Sequence, residues 1–118
     1  MLAMTEHPTV QGAREAIARV RQAGAAYALR IAAEAALLRE KPAAKAAAIG
    51  RLMATENGLT GRAHSCTSAE AIVEMDPAFH DFCRRITEAT CEREMSRTEL
   101  IAARLEAQLG LALVLGDD

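Results

Sequence analysis

Residues 57–70, NGLTGRAHSCTSAE, form the one stretch of the chain that does not read as helix, and their position decides the fold. They separate two long segments with helical periodicity, so the chain has one place to fold back. Asn57-Gly58 supplies residues that accept left-handed backbone geometry, a common way for a helix to end. Thr67 and Glu70 then match the Thr-x-x-Glu capping box that opens a helix. The stretch therefore predicts a tip loop over about 57–67, followed by a short helix over about 68–75.

Upstream of the loop, Val10, Ala13, Ile17, Val20, Gly24, Tyr27, Ile31 and Leu38 follow alternating steps of three and four, with Glu34 as the one lapse. Such spacing lines one face of a helix. Pro8 suits a first helical turn, so a long helix is predicted over about 8–40. Gly24 costs about 1 kcal/mol against alanine in a helix, and a close helix approach is the expected reason for it. Pro42 lacks an N–H and clashes with the preceding turn, which predicts a kink or restart and a further helix over about 42–56.

Downstream, Asp76-Pro77 is a second start signal, with Asp as the cap and Pro at the first helical position. A helix over about 77–113 is predicted. Its stripe begins as Phe79, Phe82, Ile86 and Ala89, then passes to Cys91, Met95, Thr98, Ala102, Leu105, Leu109 and Ala112. That change of phase near Cys91 predicts that the two ends of the helix face different partners.

Alanine occurs 27 times and the aromatics are confined to Tyr27, Phe79 and Phe82, so most of the 51% apolar content comes from small side chains. A thick single core is not expected from them. The fold class read from these features is all-α: a single helical domain, 1–118, built as an elongated antiparallel helical hairpin that completes a helical bundle or coiled coil by self-association. A homodimer is the simplest such assembly. The net charge of −2 hides an asymmetry, +3 over residues 1–57 and −5 over 58–118, which suits antiparallel pairing and not the wrapping of a duplex. The start, MLAMTEHP, lacks the pattern of a secretory signal, and LGLALVLG near the end is too short to span a bilayer. A cytoplasmic protein without membrane contact is expected, and its three cysteines, Cys66, Cys83 and Cys91, are expected as free thiols or metal ligands.

Of the residues that carry chemistry, His64-x-Cys66 and His80-x-x-Cys83 offer four nitrogen and sulfur ligands, the number a tetrahedral zinc site uses. An i, i+2 pair in a loop is an uncommon knuckle, and helical cysteines are commonly small packed residues, so the chain is read as needing no metal or other cofactor. No nucleophile, base and oxyanion site can be named together, and no catalytic residues are assigned. The charges in EATCEREMSRTE read as a solvated face with Glu/Arg pairing. Thr60, Gly61, Arg62, His64 and Ser65 gather small, hydroxylic and cationic groups before a helix N-terminus, where an anion is favoured. They are the candidate partner-binding or anion-binding residues, set against the plainer reading of the loop as turn and cap residues.

LTGRAHS followed by TSAE resembles a loop between two long helices in small helical proteins encoded by phages and prophages. That resemblance, confined to residues 59–70, implies an accessory role in genome handling or host interaction and no catalytic residues. The functional expectation is a non-enzymatic oligomeric binding module whose partners are a second copy of itself and another protein. The alternatives are a phosphate or single-stranded nucleic-acid binder using the 58–67 loop, and a zinc-stabilised module.

Overall fold

The computed structural model describes residues 8–55 and 61–116. Among them, helix α1 spans Pro8–Met53, a short α2 spans Cys66–Ala71, a single 3-10 turn spans Val73–Met75, and α3 spans Pro77–Gly116. No strand occurs among the described residues. Among the described residues no helix is long and apolar enough to cross a membrane.

Helix α1 runs unbroken for 46 residues with Pro42 inside it, so the restart expected at residue 42 does not occur. A proline removes the bond from its own N–H to the carbonyl four residues back, here that of Leu38. Both Leu38 and Pro42 are exposed, which lets water serve that carbonyl and leaves room for the ring. The helix also has good formers on either side, mostly alanine, that continue it. Helix α3 runs 40 residues, three beyond the expected end.

The chain divides into two compact units, one made of residues 1–32 with 91–118 and the other of residues 33–90. In the first, α1 and α3 pair antiparallel. Gly110 lies against Ala13, Arg19 binds Glu106 at 2.5 Å, Gly24 faces Leu100, and Arg30 binds Glu92 at 2.6 Å. The partner's number falls as the α1 number rises. The seam is made mostly of small groups: Ala13, Ala16, Ser96 and Ala107 are buried there, with Leu100 as the one large side chain among them. Val10, Ile17, Val20, Gly24 and Tyr27 complete the α1 side as half-buried positions, as their spacing predicts. Ile31, by contrast, is 43% exposed. At Gly24 a Cβ atom would stand 4.0 Å from Leu100 Cδ1, an ordinary contact, so the close approach expected there leaves room for a methyl group.

The α3 side of that seam overturns the expected change of phase. Phe79, Phe82, Ile86 and Ala89 are followed not by Cys91 and Met95 but by Arg93, Ser96, Leu100, Ala103, Ala107, Gly110 and Val114, all buried or half-buried. The three-and-four rhythm continues without a break. Cys91, Met95, Thr98, Ala102, Leu105, Leu109 and Ala112 all point outward, with Met95, Leu105 and Leu109 more than 60% exposed. Small residues let two helix backbones approach, so here they take the packed face and leave the bulkier ones outside.

In the second unit, Ala48, Val73 and Phe79 form a core joined by Ala44, Ile49, Leu52 and Cys83. Glu34, the lapse in the α1 stripe, is half-buried and accepts a 2.6 Å hydrogen bond from Thr90 Oγ1. Leu38, counted in the same stripe, is 47% exposed. The start signal Asp76-Pro77 behaves as expected: Phe79 N–H donates to Asp76 Oδ2 at 2.9 Å, which caps α3. Asp76 is also held by Arg51 near the end of α1, through Nε to Oδ1 at 3.1 Å and Nη2 to Oδ2 at 2.7 Å. That bidentate guanidinium, with the Phe79 N–H, holds the Asp76 carboxyl below the usual carboxylate range.

Candidate functional site

The loop between α1 and α2 holds most of the residues singled out from the sequence. Thr60 lies outside the described residues, as do residues 57–59. Gly61 adopts φ +67°, a left-handed conformation that glycine enters without steric cost. Arg62 is exposed and is engaged in an interaction of its own. His64 is half-buried and is tied at two points. Its backbone N–H donates to the Thr55 carbonyl at 3.3 Å, and its ring Nδ1 shares a 2.8 Å hydrogen bond with Ser68 Oγ. Both the ring and the backbone of His64 are therefore engaged within the chain. Its ring links the loop to the first turn of α2, while its backbone ties the loop to the end of α1.

The cap of α2 is also reassigned. Helix α2 begins at Cys66, and Ser65 is its N-cap, with Ser65 Oγ accepting from Ser68 N–H at 3.1 Å. Thr67, expected as the cap, lies inside the first turn. SCTS offers three hydroxyl groups, and the chain uses the first of them, Ser65, as the cap. The polar groups of Ser65, His64 and Ser68 thus satisfy one another and the loop backbone, and the six-residue α2 offers little dipole for an anion.

Of the four nitrogen and sulfur groups considered for zinc, His80 and Cys83 line one cleft of about 350 Å³ together with Glu74, Arg84 and Thr87. Residues three apart on a helix share a face, which is how these two meet. Arg84 in that cleft is paired with Asp81 and Glu88. Among the described residues no group of three or more His, Cys, Asp or Glu side chains comes together to hold a metal ion, so the four-ligand set is not assembled. All three cysteines are free thiols. Cys66 is exposed and Cys83 half-buried, while Cys91 is exposed because it belongs to the outer stripe of α3 and not to the packed one.

The charged face of α3 pairs partly within the helix, as its charge spacing predicts, and partly across to α1. Glu92 binds Arg30 and Glu106 binds Arg19 across to α1, and Glu94 takes Arg93 at 2.8 Å. What sequence reasoning missed is the surface beside these pairs. In the first unit α3 exposes Met95, Ile101, Leu105, Leu109, Leu111, Leu113 and Leu115, each between 44% and 72%. At 100° per residue, the exposed leucines after residue 104 cover most of the circumference that Ala107, Gly110 and Val114 do not bury against α1. From Ala107 to Gly116 the helix carries no charge at all. Gln108 is the one polar side chain in that stretch, and so largely apolar a helix is the pattern of one covered on more than one face. A signal for this was present in the sequence: Ser96, Ala103, Ala107 and Gly110 mark a seam of small residues running parallel to the larger stripe.

No protein-family model matches the chain, and no curated protein or solved structure matches it either.

Proposed function

We propose that this chain is a helical protein-binding module that works as a self-associated dimer, with no catalytic step assigned to it. The observation that supports this reading is the uncovered leucine-rich face of α3, with Leu105, Leu109 and Leu115 each more than 60% exposed on a helix whose opposite face is already packed. Large contiguous apolar surface of that kind marks an interaction site. The loop resemblance adds to the proposal an accessory role in phage or prophage biology. Sedimentation equilibrium at low micromolar concentration tests it: a dimer mass is expected for the wild type, and Leu105→Glu with Leu109→Glu is expected to yield a monomer of unchanged helicity, since neither side chain packs within the chain. A stable wild-type monomer at that concentration overturns the reading.

A further inference from the structure

The arginines of the first unit are not spread evenly around the helix pair. Two open grooves, which share Ala26 and Glu99 and include Arg19, Glu92, Met95 and Glu106, mark one flank of the seam between α1 and α3. At about 100° per residue, Arg21 stands as far round from Val20 in one direction as Arg19 does in the other, and Arg97 stands opposite Met95 about Ser96 in the same way. Val20 and Ser96 belong to the seam, so Arg21 and Arg97 lie on the flank away from the grooves. Arg14 and Arg104 are seven residues from them, within about 20° of the same direction. All four arginines are exposed.

The two flanks differ in sign. The grooved one sets Glu92, Glu99 and Glu106 against Arg19 and Arg30, whereas the other sets the four exposed arginines and half-buried Arg93 against Glu94 alone. Glu94 binds Arg93 at 2.8 Å and reaches Arg97 only at 4.0 Å, while Arg14 is engaged in an interaction of its own. Among the described residues no ion pair or hydrogen bond includes Arg21 or Arg104. These two are also level with each other: Arg19 binds Glu106 and Gly24 faces Leu100, which sets Arg21 across the seam from residue 104. Packed helix axes lie about 8–10 Å apart, so two cations share one level with no carboxylate between them.

Guanidinium groups grip phosphate oxygens through paired N–H donors, and two at one level suit a phosphate placed between them. From Arg14 to the level of Arg97 the line runs about 20 Å at ~1.5 Å per residue, a length over which one strand of a duplex carries about six phosphates. The rest of the flank selects among polyanions. Tyr27 is half-buried in the seam, so the arginines have no aromatic platform beside them for stacking unpaired bases. Between the levels of Arg21 and Arg97 the flank adds Ala25, Ala28 and Ile101, too little apolar surface for the charge-poor core of a protein interface. The net charge of −2 does not oppose such a contact. The glutamates of the grooved flank lie across a helix of about 10–12 Å diameter, beyond the screening length of about 8 Å at physiological salt.

We infer that this flank of the α1–α3 pair binds the phosphate backbone of a double-stranded nucleic acid without reading its bases, with Arg21 and Arg104 at the centre and Arg14 and Arg97 extending the line. The site is separate from the 58–67 loop and from the leucine-rich surface of α3, and it adds a second binding activity to the self-association proposed above.

Fluorescence anisotropy of a labelled mixed-sequence duplex of about 20 base pairs, titrated with the full-length chain over a series of salt concentrations, tests the inference. A Kd on the order of 1–100 µM is expected at physiological salt, with affinity falling at a logarithmic slope of about 3.6, the value for four phosphate contacts. Arg21→Gln with Arg104→Gln is expected to lower that slope by about two and to leave helicity unchanged. Lys41→Gln with Arg62→Gln removes the same charge from the second unit and is expected to leave binding unchanged. Absence of duplex binding at about 50 mM salt, or equal losses in the two double variants, overturns the inference. Tighter binding of a single strand of the same length overturns it as well. Displacement of the duplex by polyglutamate as readily as by unlabelled duplex also overturns it, and assigns the flank to an acidic protein.

Discussion

Arg51 and Asp76 join the end of α1 to the start of α3 through two parallel hydrogen bonds, Nε to Oδ1 and Nη2 to Oδ2, while the same carboxylate caps α3 by accepting the Phe79 N–H. Because the folded Asp76 carboxyl titrates below its ordinary value of about 3.9, the stability it contributes is complete above that value. It is lost as pH falls through the lower folded value. Asparagine keeps the cap and removes the charge, since the two are comparable N-caps. Asp76→Asn is therefore expected to lower the melting temperature at pH 7, with the gap to wild type narrowing as the pH falls below about 4. Melting curves that stay equally separated from pH 7 to pH 2 contradict this role for the pair.

At the loop, the cap assignment separates two neighbouring hydroxyls. Ser65→Ala removes the acceptor of the Ser68 N–H and is expected to cost about 0.5–2 kcal/mol, nearer the lower figure for so short and exposed a helix. Thr67→Ala, inside α2, is expected to change stability by less than about 0.5 kcal/mol. Urea denaturation of both variants decides it, and the reverse order of effects restores Thr67 as the cap.

His64→Ala is expected to destabilise the chain by about 0.5–1.5 kcal/mol, the ordinary net value of a hydrogen bond, through loss of the contact between its ring and Ser68 Oγ. Because the bond joins His64 to Ser68, Ser68→Ala should show a similar loss and the double variant little more. Additive losses in that double-mutant cycle refute the coupling.

Gly24→Ala places a Cβ atom 4.0 Å from Leu100 Cδ1 and relieves the helix of a glycine. A gain of about 0.5–1 kcal/mol is expected. At Gly110 the added atom stands 3.5 Å from Ala13 Cα, a tighter but ordinary contact, so a smaller gain is expected there. A destabilised Gly24→Ala variant shows that the two helices lie closer than these distances place them.

Pro42→Ala restores a donor to the Leu38 carbonyl within an unbroken helix. Stability is expected to rise by on the order of 1–3 kcal/mol, measured by thermal melting, because both positions are exposed. No change, or a loss, shows that the helix is adapted to the proline.

Helix identity and the main boundaries were legible from residue spacing alone. The three-and-four stripe of α1 from Val10 to Tyr27 packs as its period requires, and Asp76-Pro77 starts α3 where its chemistry requires, because periodicity and capping act within a turn or two of the chain. The loop was legible as a helix connection, but not the use of its polar groups: whether His64 faces solvent or bonds Ser68 depends on where α2 begins, and SCTS offers more than one cap. The continuity of α1 through Pro42 was likewise undecided, since a lost backbone bond is tolerable only where the carbonyl stays in contact with water. The face of α3 was decided by tertiary structure alone. Two parallel stripes share its rhythm, one of Ser96, Leu100, Ala103, Ala107 and Gly110, the other of Met95, Ala102, Leu105 and Leu109. Hydrophobicity favours the second, yet α1 packs on the first, because Ala13 and Gly110 let the backbones approach to a distance that bulky side chains forbid. Which stripe is inside depends on what lies across it, and a single helix does not carry that information.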